Sequence, residues 1–194
     1  GENRALVQRG VAEARRAERV GLKALLVESR VEPATLTSED FGFKLGPRIN
    51  AAGRMFRADA GVELFLSDSA ERAAEIGNEL GKANLDRRAA ERELVNSAEA
   101  ARSELEDQDP PALVVAGTGW HSGVVGIAAA RLARKYEVPA VVISIPEDGA
   151  EVARGSARSV PGLDLHAAIS ECADLLKEFG GHKAAAGIQV KTVD

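Results

Sequence analysis

Hydrophobic positions in the first part of the chain recur at helical spacing. Between residues 3 and 29, apolar side chains come every three or four positions among Arg and Glu, which predicts two helices with a break near Gly21. Residues 30–40 are typical of a loop, and Thr37 or Ser38 could cap the helix that follows. This region is therefore predicted to be entirely helical and loop-like, without strands.

A long helix is predicted after a short irregular stretch. Residues 41–57 hold too many Gly and Pro residues for a plain helix, so we expect a structured loop leading into a short helix. Residues 69–106 are rich in Ala, Glu, Arg and Leu and contain no proline. A single helix of that length would span roughly 50 Å and would connect two lobes. Two antiparallel helices with a break near Gly81 remain an alternative.

The pattern changes to alternating strands and helices from about residue 110. This order predicts a small α/β domain with a mixed sheet, so the fold class of the chain is α/β, with a helical N-terminal segment and a long connecting helix before it. The predicted elements are strands at 113–117, 139–145 and 151–159, helices at 124–136 and 164–179 (the second capped by Asp164), and a last strand from 188.

Composition narrows the class of protein. The 194 residues are 45% hydrophobic, enough for one domain or two small ones. The single Cys172 cannot form an internal disulfide, and no apolar run has membrane length, so we expect a cytoplasmic protein without a membrane partner. The chain opens without Met and inside a predicted helix, which suggests a piece of a longer protein.

Charge and aromatic content bear on the choice of partner. The net charge is −5, but Lys and Arg outnumber Asp and Glu by 11 to 8 in residues 1–60, and the acidic excess lies in residues 61–109. The net charge therefore does not exclude nucleic acid. Five Phe, one Trp and one Tyr are too few for a platform of stacked aromatic side chains.

Three segments could bind phosphate. The first, TGWHSGVVG (118–126), is a Gly-rich turn before a predicted helix, where backbone N–H groups favour an anion and His121 and Ser122 would add donors. The second, RGSARS (154–159), lies in a predicted strand whose period places Arg154, Ser156 and Arg158 on one face. Tight packing explains the first segment about as well, and a solvated edge strand explains the second.

The third segment is the most informative. GGHKAAAG (180–187) surrounds His182 with small residues, among them Gly180 and Gly181, which suggests that backbone passes close to a ligand. His182 would then donate a hydrogen bond to a phosphate oxygen. The alternative is a structural histidine. No set of Asp and His residues has the spacing of metal ligands, so no metal site and no complete hydrolytic centre is predicted in this chain.

Taken together, these segments resemble the RecJ exonucleases of the DHH phosphoesterase superfamily. The resemblance covers nearly the whole chain, in the order GENR (1–4), FKLGPRINAAGRM (43–55), GWHSGVVGIAAARLARKY (119–136), GSARS (155–159) and FGGHKAAAG (179–187). It implies that residues 1–66 are the end of the catalytic DHH lobe, 67–108 a connecting helix, and 109–194 a DHH-associated substrate-binding domain that would continue further.

The resemblance also implies roles for individual residues. His182 would contact the scissile phosphate, Ser156 and Arg158 would bind the 5′-terminal phosphate, and Arg48 or Arg54 would touch the DNA backbone. Two Mn²⁺ or Mg²⁺ ions would be bound by an upstream lobe of the same polypeptide.

The implied reaction is 5′-to-3′ hydrolysis of single-stranded DNA in repair and recombination, and the chain alone is expected to be inactive. Three alternatives stay open. The first two are a DHH-family phosphodiesterase for short oligoribonucleotides or cyclic dinucleotides, and a nuclease-dead replication or repair scaffold. A module that binds nothing is a third.

Overall fold

The computed structural model describes residues 1–103 and 110–192, which fall into two compact units. The first unit is Gly1–Arg88 and the second is Ala89–Asp194. The first is built of helices, and the second holds a five-stranded mixed sheet with helices. The predicted α/β class, with helices first and a mixed sheet after them, is confirmed.

The first unit packs short helices around a core of leucine and isoleucine. Its largest fully buried side chains are Leu25, Leu26, Leu36, Leu45, Leu64, Ile76 and Leu80. Its helices are α1 (Glu2–Ala14), α2 (Val20–Glu28), α3 (Ser38–Asp40), α4 (Gly46–Met55), α5 (Ala60–Leu66) and the first part of α6 (Ala70–Ser103), with a 3₁₀ turn at Pro33–Thr35.

The break between the first two helices lies before the predicted position. The chain leaves α1 at Arg15, and Ala17 adopts a positive φ of 49°. Gly21, where the break was predicted, lies within α2 and is buried. A Cβ at Gly21 would overlap the backbone carbonyl of Leu64, so this glycine lets α2 and α5 pack backbone to backbone. The prediction mistook a packing glycine for a helix breaker.

The segment predicted as a structured loop is helical. A π-helical turn at Phe41–Leu45 joins α3 directly to α4. Thr37 caps this run as predicted, because its side chain and that of Asp40 form a reciprocal capping box. Pro47 lies in the first turn of α4, just after the widened π turn, where the missing proline N–H is tolerated. Pro47 and the glycines of this segment therefore lie within helical turns and do not end them.

One unbroken helix, α6, spans Ala70–Ser103. The alternative of two antiparallel helices with a break near Gly81 is therefore wrong, and residues 104–108 of the predicted helix lie outside the described residues. Gly77 and Gly81 are both buried, and a Cβ at Gly77 would lie 3.5 Å from the carbonyl oxygen of Ala24. Both glycines serve close packing against α2, which offsets their low helix propensity.

The second unit contains a sheet of order β1-β2-β3-β5-β4. Strands β1 and β2 are parallel and joined by helix α7, whereas the remaining neighbours are antiparallel. The elements are β1 (Leu113–Thr118), α7 (Val125–Tyr136), β2 (Ala140–Ile145), β3 (Val152–Arg158), α8 (Leu165–Ser170), β4 (Glu178–His182) and β5 (Ala185–Lys191).

The last predicted helix is much shorter than expected. Asp164 caps α8 as predicted, accepting a hydrogen bond from the Ala167 N–H at 3.0 Å, but the helix ends at Ser170. Glu178 and Phe179 pair with β5 instead, and the GGHKAAAG segment (180–187) lies in a β-hairpin. Pairing with a neighbouring strand has overridden the helical spacing of the apolar residues.

Helices cover the two faces of the sheet unequally. Helix α7 packs on β2 and β3 from one face, and Leu165 of α8 packs on Ala157 and Ala186 from the other. The second half of α6 is tied to α7, since Lys135 pairs with Glu99 at 2.7 Å and the Arg102 guanidinium lies 4.2 Å from the Tyr136 ring centroid.

Replacing Gly21 by Ala tests the backbone packing of α2 on α5. The added methyl would overlap Leu64, so we expect destabilisation of about 1–3 kcal/mol and a lower melting temperature of the helical signal in far-UV circular dichroism. Gly10→Ala is the matched control, because a Cβ at Gly10 meets nothing within 4 Å on exposed α1, and we expect a slight gain. Equal melting temperatures for the two variants would contradict the packing.

The Asp40 carboxylate provides a pH test of its contacts with Lys44 and Thr37. Its pKa is lowered to about 2, first by the hydrogen bond from Lys44 and then by those from Thr37. Because its pKa is depressed, the ionised Asp40 carboxylate stabilises the fold when the pH is above the ordinary pKa of 3.8. That contribution is lost as the pH falls to about 2. NMR titration should show this low pKa, and Lys44→Ala should raise it. An unchanged pKa in that variant would contradict the arrangement.

Candidate functional site

Strand β3 presents its polar side chains to one face of the sheet. Ser156 and Arg158 are half-buried and Arg154 is exposed, while the intervening Ala153, Gly155 and Ala157 are buried. The three polar residues thus share the face predicted from the strand period.

The first turn of helix α7 lies against Ser156 and Arg158. A Cβ at Gly126 would stand 2.9 Å from Nη2 of Arg158 and 3.1 Å from Oγ of Ser156. The helix begins after Val124, whose side chain makes no cap hydrogen bond. The absence of a side chain at Gly126 therefore brings the positive end of the helix dipole next to a guanidinium and a hydroxyl.

Arg158 and Ser156 are arranged as donors to an anion. Nη1 of Arg158 donates to Ser156 Oγ and to the Ala157 carbonyl oxygen, both at 2.8 Å. Because Ser156 Oγ accepts from a cation, its own hydrogen is available for another acceptor. Guanidinium, hydroxyl and helix N-terminus together favour a phosphate or a carboxylate.

The sheet register extends this face to His182. Across β3, β5 and β4, Arg158 is opposite Ala185, which is opposite His182. Directly opposed residues of neighbouring strands point to the same face, so His182 lies on the face of Arg158. Two strand spacings, roughly 10 Å, separate the two positions.

A strip without side chains lies beside these residues. In the next row of the register Ser156 is opposite Gly187, which is opposite Gly180, and a Cβ at either glycine would meet nothing within 4 Å. A ligand can therefore approach the backbone closely between Ser156 and His182.

Gly181 has a different part from Gly180. Its φ is +153°, and an added Cβ would lie 2.6 Å from Cα of Ala186. The residue faces the side of the sheet that α8 covers, where β4 and β5 approach closely. Gly181 therefore supports the hairpin, and it does not lie on the face that carries Ser156 and Arg158, where the sequence analysis had placed it as a phosphate-binding residue.

Both candidate histidines have their ring orientation fixed by backbone. Nδ1 of His182 accepts a hydrogen bond from the Ala184 N–H at 3.2 Å, and Nδ1 of His121 accepts one from the Gly123 N–H at 3.1 Å. In the neutral ring the proton then sits on Nε2, which is the donor that a phosphate oxygen requires. Both side chains are exposed, as is Ser122 beside His121.

The other two predicted residues lie in the first unit. Arg48 is paired with Glu28 through Nε and donates through Nη1 to the Lys44 carbonyl oxygen at 2.8 Å, and its side chain is only 19% exposed. This geometry gives Arg48 a packing role. Arg54 is exposed near the end of α4. A DNA contact by either residue stays a prediction.

Sequence analysis did not single out Gly187. This residue stands opposite Ser156 and Gly180, and register between distant strands is not visible in the sequence. The hairpin was a possible signal, since Gly180 and Gly187 are placed symmetrically about Lys183 and Ala184.

Among residues 1–103 and 110–192, no three His, Cys, Asp or Glu side chains are placed to hold a metal ion. The same residues form no helix both long and apolar enough to cross a bilayer.

Comparison with known proteins identifies relatives of this chain. Residues 109–194 match the DHHA1 domain. The single-stranded-DNA-specific exonuclease RecJ of Bacillus subtilis is 39% identical over 193 residues, which is all of this chain and 24% of that protein. Crystal structures of RecJ from Thermus thermophilus with Mg²⁺ and with Mn²⁺ both superpose with a TM-score of 0.82, at 29% and 30% identity. They cover 98% of this chain, which spans 29% and 27% of theirs.

The domain match assigns residues 109–194 to the class of DHHA1 domains. Within that class the similarity extends through the helices of the first unit as well, and the chain belongs to the RecJ family. It spans about a quarter of the length of the Bacillus subtilis relative.

Substituting the glycines of the hairpin separates their roles. Gly181→Ala should destabilise the second unit by about 1–3 kcal/mol, because the methyl overlaps β5 and the φ is unfavourable. Gly187→Ala should leave the melting temperature unchanged or slightly higher, since its Cβ enters free space. Thermal melts followed by tryptophan fluorescence report the stability of this unit. A lower melting temperature for Gly187→Ala than for Gly181→Ala would contradict the roles assigned to the two glycines.

Proposed function

We propose that this chain is the substrate-holding part of a metal-dependent 5′-to-3′ single-stranded-DNA exonuclease acting in repair and recombination. One observation carries the proposal: Ser156, Arg158 and the N-terminus of α7 converge on one point of a sheet face that also presents His182. Such a set of donors is suited to the phosphates of a single strand. The RecJ relatives bear the name of single-stranded-DNA-specific exonucleases.

The terminal phosphate would bind at Ser156 and Arg158. The guanidinium of Arg158 is directed along β3 to Ser156 and to the first turn of α7, so it supports an anion there. The helix dipole favours a doubly charged terminal phosphate over an internal phosphodiester. A 5′-phosphorylated end would therefore be held more tightly than a 5′-hydroxyl end.

The strand would continue across the glycine strip towards His182. Gly187 and Gly180 leave room for a sugar or a base directly above the sheet. Since His182 stands about two strand spacings from Arg158, it would meet a phosphodiester and not the terminal phosphate. Its Nε2 proton would hold that phosphodiester in place for hydrolysis.

The divalent ions would be bound by another part of the longer polypeptide. Mg²⁺ and Mn²⁺ accompany the related RecJ structures, and we infer that the parent protein uses one of them through an upstream DHH lobe. The present chain would then be inactive by itself. A location in the cytoplasm fits a substrate of this kind.

Two other functions predict different outcomes. A phosphodiesterase for short oligoribonucleotides or cyclic dinucleotides would bind a ribodinucleotide better than a longer DNA strand. A nuclease-dead scaffold would lack the metal-binding Asp and His residues upstream. The similarity to RecJ over both units favours the exonuclease.

End-specific binding tests the proposal. Fluorescence anisotropy of the 194-residue chain at low salt should show tighter binding of a 5′-phosphorylated single strand than of its 5′-hydroxyl counterpart. Arg158→Ala should weaken binding of the phosphorylated strand about tenfold or more, the usual effect of losing a charged hydrogen-bond donor. Arg92→Ala removes an exposed charge from α6 and is the matched control.

Two further arms sharpen the result. Gly187→Ala should weaken binding without loss of stability, because the methyl occupies space that the strand needs. Added Mn²⁺ should produce no cleavage. Equal affinity for the two ends, or metal-dependent digestion by this chain alone, would refute the proposed division of labour.

A further inference from the structure

The loop between β1 and α7 is fastened to the end of β2. The Gly119 N–H donates to the Ile145 carbonyl oxygen at 2.9 Å, and the Ser144 hydroxyl donates to the Trp120 carbonyl oxygen. In the described residues of the second unit, Ser144 is the single buried polar side chain, at 9% exposure. A buried hydroxyl is retained at little cost only where it has a partner, and here the partner is the loop.

The Trp120 side chain packs directly on the sheet, against the backbone of Gly117. A Cβ at Gly117 would fall on the indole ring, so the ring lies directly against the backbone at the end of β1. Gly117 and Ser144 are partners in the parallel register of β1 and β2. The indole and the carbonyl of Trp120 are therefore both held by one row of the sheet.

This row lies two residues along β3 from the proposed phosphate site. Ser144 is opposite Arg154, whereas Ser156 is opposite Val142. Ser144 therefore reaches the site only through the loop. The His121 carbonyl accepts from the Val124 N–H at 3.0 Å, Val124 precedes α7, and Gly126 stands against Ser156 and Arg158.

We infer that Ser144 and Trp120 are positioning residues. The hydrogen bond from the Ser144 hydroxyl to the Trp120 carbonyl fixes the distance between the first turn of α7 and the side chains of Ser156 and Arg158. The inference rests on the proposed function, since it concerns the phosphate site described there. Neither residue would contact the bound DNA strand. Only a short loop separates Trp120 from Gly126, so a displaced Trp120 carbonyl displaces the helix N-terminus with it.

Removing the hydroxyl isolates this effect. Ser144→Ala leaves the Trp120 carbonyl without its donor and keeps the residues that would bind phosphate. Ser144→Thr retains the hydroxyl and suits a strand, so it is the rescue variant. If Ser144→Ala does not fold, Gly117→Ala replaces it, because the added methyl displaces the indole and leaves Ser144 intact.

Two measurements on the full 194-residue chain test the inference. Acrylamide quenching of Trp120, the one tryptophan of the chain, reports how firmly the loop is held without ligand. The ratio of dissociation constants for 5′-hydroxyl and 5′-phosphorylated single strands reports the phosphate site. In Ser144→Ala we expect stronger quenching and a ratio lowered about fivefold, with wild-type values of both in Ser144→Thr.

The outcomes separate the inference from the proposed function. A wild-type chain that does not distinguish the two ends refutes the proposed function and the inference with it, whatever the quenching. A wild-type chain that distinguishes them, with the same ratio in Ser144→Ala, refutes the inference alone. A loss of ratio that Ser144→Thr does not restore would also refute it, since the hydroxyl would then not be the cause.

Discussion

The register of β3, β5 and β4 is the constraint on which the candidate site depends. It places Ser156, Gly187 and Gly180 in one row and Arg158, Ala185 and His182 in the next. Side chains alternate between the faces of a strand, so a slip of one residue in β4 would turn His182 to the face that α8 covers. The two-residue turn at Lys183 and Ala184 prevents such a slip, and the Ser159 N–H anchors it to the end of β3 by donating to the Ala184 carbonyl oxygen at 3.0 Å.

Small residues have different effects on the two faces of the sheet. Gly155, Ala157 and Ala186 let α8 and neighbouring side chains pack closely on one face. On the other face, the missing side chain of Gly126 lets the first turn of α7 approach β3, while Gly180 and Gly187 leave the sheet backbone uncovered. The same residue type thus closes one face and opens the other, and the register decides which.

Local sequence patterns predicted much of the fold, whereas the remaining elements depend on pairing between distant segments. The strand period of RGSARS placed Ser156 and Arg158 on one face, and Thr37 and Asp164 marked the helix starts at which they act as caps. The helical spacing after Asp164 was misleading because Glu178 and Phe179 gain strand partners in β5.

Long-range packing explains the remaining differences. Gly21 resembles a helix breaker until α5 is placed against it, and Gly187 shows its role only when it stands opposite Ser156. Arg48 pairs with Glu28 from another helix, a neighbour that its own sequence segment does not indicate, and its contact with DNA stays a prediction. The chemistry of single residues was readable from the sequence, whereas their neighbours required the fold.

Chemical-shift mapping would show whether Gly126, Ser156, Gly187 and His182 belong to one phosphate-binding face. Amide resonances of the ¹⁵N-labelled chain would be followed during titration with a 5′-phosphorylated dinucleotide. We expect the shifts to concentrate at these four residues, with Leu165 and Ile169 of α8 on the opposite face unaffected. Shifts centred on α8, or none in β3 and β5 at saturating ligand, would contradict it.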